Sequence, residues 1–498
     1  MNKPNNFRKL QRNLRNTPQI FKDVNIEIPK KSLWFDNTIE SIAPTSQREA
    51  RVLEQSKKGS KSPSITNADL AKIIIEEHIF MSISDTLYHW CEDKGIYKTV
   101  TTEYAEKFIR SHISDQYKHK INSISIKEII RWIESFVTPI DIELLELNKR
   151  DLIALSNGLY NFKKQRFIQH NHKYFFTSVI NAKYSNDSKP SSIYFEKFMS
   201  DITNNDHNLY LRIQELFGYV ISEIRSVKCI PYLIGPKDTG KSIILKILEY
   251  LVGKESFTNL SFEQLNKPEY LAQIIGKRLN TCGETSEFKL NKLDTFKKLS
   301  GGDYITARPI YNQPINFVNS AVLLFAGNHL PEIKGLDKSN AFSKRITVFP
   351  FTNPIPKEKQ DTQLFEKLIT ECDYIVLWAI EGLKRWRAQN FEFTSTYESD
   401  DLSNNYYERN NSIESFINSN CTFNSKFKIH KSTFEDAYLD YCDINVIAPE
   451  SSTTLHDYIL SLPGISYSRF RIGDNNKRGY KGISLKNGEK EDDVDETD

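Results

Sequence analysis

Residues 235–242 read Gly-Pro-Lys-Asp-Thr-Gly-Lys-Ser, a GxxxxGK[ST] pattern. A short apolar run, CIPYLI, comes before it, and an apolar-periodic run, IILKILEYLVG, follows to Gly253. Strand, glycine loop, helix is the context in which this pattern binds phosphate. Gly235 and Gly240 let the loop Pro236, Lys237, Asp238, Thr239 curl, so that its backbone N–H groups point at phosphate oxygens. The helix that starts at Lys241 adds the partial positive charge of its N-terminus. Lys241 can reach β- and γ-phosphates, and Ser242 can ligate Mg²⁺.

A phosphate loop does not name a reaction. Asn291-Lys292-Leu293-Asp294 resembles a guanine-reading NKxD element, but it sits in a helical pattern, follows the loop closely and has no DxxG before it. ATP with Mg²⁺ is therefore the expected ligand. GKRLNTCGETSE (276–287) reads as a strand ending in acids. Glu284 is the candidate to polarise the attacking water and assist Mg²⁺, with Glu287 in reserve. SAVLLFAGN (320–328) is a buried strand that delivers Asn328 to its carboxyl end, where open α/β sheets bind ligands. NAFSKRITVFPF (340–351) sets Lys344 and Arg345 before another strand. Arg345 could act on a neighbouring subunit's γ-phosphate, a contact that is worth roughly 10³–10⁵ in rate.

These residues need elements to hold them. The 498 residues suffice for about three domains at roughly 100–200 residues each. Hydrophobic residues at 39%, with 24 Tyr and 30 Phe, allow sizeable cores. No run of about 18 apolar residues suggests a membrane span, and the basic start lacks the apolar stretch of a secretory signal. The six cysteines form no CxxC pair, so a reduced, cytoplasmic protein without zinc is expected. The expected organisation is a basic segment and linker (1–63), an α+β domain (64–205), an ATPase core (206–405), a C-terminal module (406–485) and an acidic tail (486–498). SITNADLAKIIIEEH reads as a capped helix, and two strand–turn–strand units are expected near Gly95 and over 157–168. Helices are expected over about 194–221 and 374–389. FEFTSTYESDDLSNN reads as a polar loop.

LSGGDYITARPIYNQPINF (299–317), AGNHLP (326–331) and the Lys344-Arg345 pair before VFPF resemble superfamily 3 helicases. The group they resemble is the phage and plasmid primase–helicases, related to those of poxviruses and satellite phages. The resemblance implies an AAA+-type P-loop motor, a homo-hexameric ring that moves along single-stranded DNA with ATP between subunits. By position Gly235, Gly240, Lys241 and Ser242 match the phosphate motif, Glu284 the acidic motif, Asn328 the sensor and Arg345 the finger. Gly283 stands where many relatives carry a second acid, and the strand before Glu284, LNTCG, is poorly apolar. That departure supports a rival reading, an ATP-controlled DNA-binding switch without processive unwinding. Residues 303–317 match the segment that forms a pore hairpin. Its own residues are β-prone, with Asn312-Gln313 as the turn. Lys297, Lys298 and Arg308 could meet phosphates and Tyr311 could stack on a base.

Upstream, Asp141-Ile142-Glu143 is the one tempting acid pair before the loop, and it suits a helix start. No primase activity is expected. At the other end, SIESFINSN, HKSTFEDAYLDYC and SSTTLHDYILSLPG read as helices, followed by two strands in SRFRIGDNNKRGYKGISL. Arg469, Arg471, Lys477, Arg478 and Lys481 make that ribbon basic. A winged helix on duplex DNA is the expectation, with origin recognition as its use.

Overall fold

The computed structural model describes residues 65–83, 86–113, 115–140, 149–185, 192–283, 289–290, 293–310, 313–333 and 341–486. Several sequence expectations lie outside the described residues: the basic segment and linker, the acid pair at 141–143, Glu284, Glu287, Tyr311, Asn312 and almost all of the acidic tail. The described residues form two compact units, those within 65–147 and 171–175, and those within 149–170 and 176–486. The described residues within 149–170 and 176–205, grouped by the sequence reading with the amino-terminal domain, thus belong to the second unit.

The first unit opens with helix α1 (Asn67–Glu77). Thr66 and Asp69 form a reciprocal capping box at its start. Strands β1 (Phe80–Ile83), β2 (Thr86–Cys91) and β3 (Ile96–Thr99) make an antiparallel sheet in that order. Gly95 closes the β2–β3 turn at φ 63°, the left-handed region that glycine enters without strain. Helices α2 (Thr102–His112) and α3 (Ser123–Phe136) follow, and Ile126, Ile129 and Ile133 bury one face of α3. His78, His89 and His112 meet beside Phe108, with His78 4.4 Å from His112 and 5.4 Å from His89 between ring centroids.

In the second unit, β4 (Leu152–Leu155), β5 (Gly158–Asn161) and β6 (Arg166–Ile168) form an antiparallel sheet. Helices α4 (Tyr194–Thr203) and α5 (His207–Ile221) lead to β7 (Ile230–Ile234) and α6 (Lys241–Val252). Then come β8 (Phe257–Thr258), β9 (Leu279–Cys282), α7 (Asp294–Leu299), a hairpin of β10 (Tyr304–Ala307) and β11 (Ile315–Val318), β12 (Val322–Gly327) and β13 (Ile346–Pro350). The central sheet has the order β13-β7-β12-β9-β8, parallel throughout. A parallel sheet covered on both faces needs strands apolar on both sides. Strand β12 meets that demand: Val322, Leu324 and Ala326 enter one core with α5, α6 and α8 (Cys372–Ala388), while Leu323 and Phe325 enter the other. At the sheet's amino edge Glu223 is paired with Arg278 and lies 3.5 Å from Lys149. Burial opposes its charge, but these cations and Arg225 win and hold its pKa at about 2.

The polar stretch read as a loop is largely a helix, α9 (Tyr397–Asn410). Periodicity could not reveal it, because few of its residues are apolar. Its start is fixed by a capping box between Thr396 and Ser399, and Tyr406 inserts into the second core. The C-terminal module runs α10 (Ser412–Asn420), β14 (Cys421–His430), α11 (Lys431–Ile444), α12 (Ser452–Ser461), β15 (Ser466–Ile472) and β16 (Asn475–Leu485). Its sheet is antiparallel with β16 in the middle. All six cysteines are free, and among the described residues no helix is long and apolar enough to cross a membrane.

Burial lowers the pKa of His78 to about 4, helped by His112, and of His89 to about 3, helped by His78, His112 and Lys98. Both rings are neutral in the fold, whereas the unfolded chain takes up these protons near 6.5. The unfolded state therefore binds more protons below about 6.5, and stability falls as pH drops toward the folded values. Amide exchange over residues 67–112, corrected for intrinsic rates, should quicken between pH 7 and pH 5. A His78→Gln/His89→Gln variant should lose most of that dependence.

Candidate functional site

The loop after β7 is pinned from both neighbouring strands. Gly235 donates its N–H to Gly327 at the end of β12 (3.2 Å). Phe351, just past β13, donates to Ile234 (2.7 Å), and Ile355 donates to Asp238 (2.8 Å). Gly235 sits at φ 152°, where a Cβ would lie 1.9 Å from the Phe351 carbonyl oxygen, so only glycine fits. The Lys241 ammonium turns back into the loop and donates to the carbonyls of Gly235 (2.7 Å) and Pro236 and to Thr239 Oγ1 (3.1 Å). Burial lowers its pKa, and Asp238 works against that shift. Pro236, Lys237, Asp238 and Ser242 are exposed around it.

This arrangement fits a polyphosphate with a divalent cation. Among the described residues, no carbonyl or side chain accepts from the backbone N–H groups of residues 237–242. They form a row of unclaimed donors at the N-terminus of a twelve-residue helix. Lys241 supplies a buried cation whose hydrogen bonds go to neutral oxygens, and the exposed Ser242 hydroxyl is available to a metal.

Asn328 follows β12 directly and is exposed beside the loop, since Gly327 pairs with Ile234. The turn after it is held twice, by Tyr232 donating to the His329 carbonyl (2.7 Å) and Tyr406 donating to the Pro331 carbonyl (2.8 Å). Strand β9 ends on the same edge, with Cys282 level with Phe325, so the chain enters the acidic segment there. Beyond that segment Lys289–Leu290 pairs in parallel with Glu332–Ile333. Arg345 lies elsewhere. It ends a short 3₁₀ turn (Ser343–Arg345) before β13, at the amino edge of the sheet. The five residues of β13 span about 13 Å, so Arg345 does not reach the loop of its own chain. Lys344 lies 5.8 Å from the centre of the Tyr407 ring.

The polar strand β9 has a packing explanation. Asn280 and Thr281 are fully buried. Asn280 exchanges bonds with the backbone of Leu260, through Oδ1 and Nδ2 at 2.9 Å each. Thr281 donates to Glu249 of α6, and Asn259 donates to both Thr281 (2.7 Å) and Glu249 (2.8 Å). Each polar group thus has a partner, and the network ties the helix after the phosphate loop to the strand before the acids.

In the hairpin, Ile305, Ala307 and Phe317 face the second core. Tyr304, Thr306, Asn316 and Val318 face outward, with Arg308 and Gln313 exposed toward the tip. Lys298 is exposed and Lys297 half-buried on the adjacent α7. In the C-terminal sheet the five basic residues part company. Arg469, Arg471 and Arg478 share the face of Tyr467 and Tyr480, against which His456 of α12 packs. Lys477 and Lys481 point to the opposite face. Sequence reasoning had no route to Tyr406, Tyr407 or Glu249, because their roles depend on contacts far along the chain.

Thr281→Val keeps the shape of β9 but leaves Glu249 and Asn259 short of a partner. It should cost about 1–3 kcal/mol, read as a lower urea midpoint with unchanged m-value, while Thr281→Ser should stay near wild type.

Residues 69–204 match the family model "D5 N terminal like". Residues 233–345 match a family described as of unknown function (DUF5906). A protein of Acanthamoeba polyphaga mimivirus named "Putative helicase L207/L206" is 26% identical over 169 residues, which are 32% of this chain and 17% of that protein. Two apo structures of the NrS-1 C terminal region align over 84% of this chain and all of theirs, each at 10% identity, with TM-scores of 0.48 and 0.46. A D5-like amino-terminal region therefore precedes a mixed α/β domain built on a parallel sheet.

Proposed function

We propose that the chain is an ATP-dependent DNA helicase of the superfamily 3 type that initiates replication of a mobile element. The observation that carries the reading is the division of labour across the central sheet. Its carboxyl edge holds the phosphate loop, Lys241 and Asn328, while Arg345 stands at the amino edge, out of reach. Strand β7 is also where the sheet order reverses, with β8, β9 and β12 on one side and β13 on the other. Ligands of open α/β sheets bind at the carboxyl end of such a switch point. The D5-like region and the helicase name of the mimivirus relative support the same class.

In this mechanism bound ATP with Mg²⁺ supplies the phosphoanhydride bond that is cleaved. The N–H groups of residues 237–242 and Lys241 hold its phosphates, and Ser242 holds the metal. Glu284 accepts a proton from the attacking water and assists at the metal. Asn328 orients that water. Arg345 of an adjacent copy neutralises the transferring phosphate, so the active unit is an interface within a ring, taken as a hexamer. Movement of the 303–317 hairpin, with Lys297, Lys298, Arg308, Tyr311, Asn312 and Gln313 along it, pulls single-stranded DNA. The order helix, strand, helix, helix, strand, strand supports a winged helix at 406–485. Its face of Arg469, Arg471 and Arg478 meets duplex DNA.

Lys241→Ala should abolish ATP turnover. Arg345→Ala should lower it at least about 10³-fold while nucleotide binding, read with a fluorescent ATP analogue, stays near wild type. Mixing the two inactive proteins should restore part of the turnover, because a Lys241→Ala subunit can lend Arg345 to its neighbour. Wild-type turnover by Arg345→Ala, or no recovery in assembled mixtures, would remove Arg345 from the site.

A further inference from the structure

The C-terminal sheet sets like charges directly opposite one another twice. Arg469 faces Arg478 across β15 and β16, and Lys428 faces Lys481 across β14 and β16. Such pairs destabilise an antiparallel ladder. Little offsets them, since Asp474 is the one acid in the three strands and the β15–β16 turn, and it already meets Arg471. Alternation puts the two pairs on opposite faces of the sheet. The arginine pair continues the face that α12 covers. The lysine pair lies on the back, together with Lys477, His430 and Phe470.

That back face is built rather than incidental. The His430 ring stacks on Phe470 with centroids 5.4 Å apart and planes 20° from parallel, and its Nε2 is 3.3 Å from the Phe470 carbonyl oxygen. The Lys481 ammonium lies 6.0 Å from the centre of the same Phe470 ring, so its side chain is oriented by an aromatic ring and not by an acid. Lys428 and Lys477 are exposed on either side. Gly479 separates Lys477 from Lys481, and a Cβ there would lie 2.2 Å from the Ile429 carbonyl oxygen. Strand β14 therefore closes up against β16, which keeps the lysines of the two strands together. Three cations on one face of a sheet whose strands hold no acid call for a polyanion that runs along that face.

We propose that Lys428, Lys477 and Lys481 form a second nucleic-acid surface, which binds a sugar–phosphate backbone on the face of the sheet opposite the arginines. The proposal rests on the reading that the C-terminal module meets nucleic acid, and it adds that the module holds two strands or two segments at once. The cost of the lysine opposition is then repaid when the backbone binds and releases its counterions.

The test uses the full chain without nucleotide, titrated into labelled duplex and single-stranded oligonucleotides across a salt series. Lys428→Thr/Lys477→Thr/Lys481→Thr is compared with Arg469→Ser/Arg471→Ser/Arg478→Ser. The lysine variant should weaken binding about tenfold or more at low salt and flatten the salt slope by about two to three. Its thermal midpoint should hold or rise. Loss confined to one probe identifies that form as the occupant, and loss for both identifies the shared backbone. Unchanged affinity and slope for both probes overturn the proposal. If the arginine variant alone weakens binding, the DNA reading of the module stands without the second surface; if neither does, that reading fails as well. Lys428→Thr alone, at an exposed edge-strand position, repeats the test where the triple variant fails to fold, with a slope change of about one expected.

Discussion

The parallel direction of the five central strands is the constraint on which the rest depends. A parallel sheet gathers every strand end on one edge and every strand start on the other. The phosphate loop, Asn328 and the entry to the acidic segment share an edge for that reason and no other. The same rule sends Arg345 to the far edge, because it comes before its strand and not after. In a chain so built the two parts of the proposed site, the phosphate loop and Arg345, stand on opposite edges of one sheet. Association between copies is then a geometric requirement of the proposed chemistry.

The connections around this edge show how it is held. Gly235 is bonded to Gly327, Phe351 to Ile234 and Ile355 to Asp238, so the ends of the two neighbouring strands fix one loop. Glu249, Thr281 and Asn259 tie the loop's helix to the strand that enters the acids. Helix α9 reaches both the turn after Asn328, through Tyr406, and the segment of Lys344 and Arg345, through Tyr407. Since α9 leads directly into α10, the C-terminal module is covalently joined to a helix that touches both edges of the sheet. The turn after Asn328 and the segment of Lys344 and Arg345 thus both contact that helix.

Much of this was legible in the sequence, for reasons that differ by element. The loop at 235–242 declared itself because glycine positions, an apolar strand and a periodic helix coincide. Strand β12 did so because a strand buried on both faces is a plain apolar run. Helix α9 was missed because its polar surface hides its period, and its cap and one tyrosine do the anchoring. Strand β9 looked unfit for a core because its polar groups find partners 20 and 32 residues away. The basic ribbon was visible as a composition, but the division of its cations between two faces required the register of three strands. The far-edge position of Arg345 required the topology.

In the proposed mechanism hydrolysis at Lys241 drives strand separation. The direct measurement is displacement of a labelled strand from forked DNA with ATP and Mg²⁺, with Lys241→Ala beside wild type. Displacement is expected from wild type and none from the variant. DNA-stimulated hydrolysis by wild type without displacement would contradict the mechanism and favour an ATP-controlled switch on DNA.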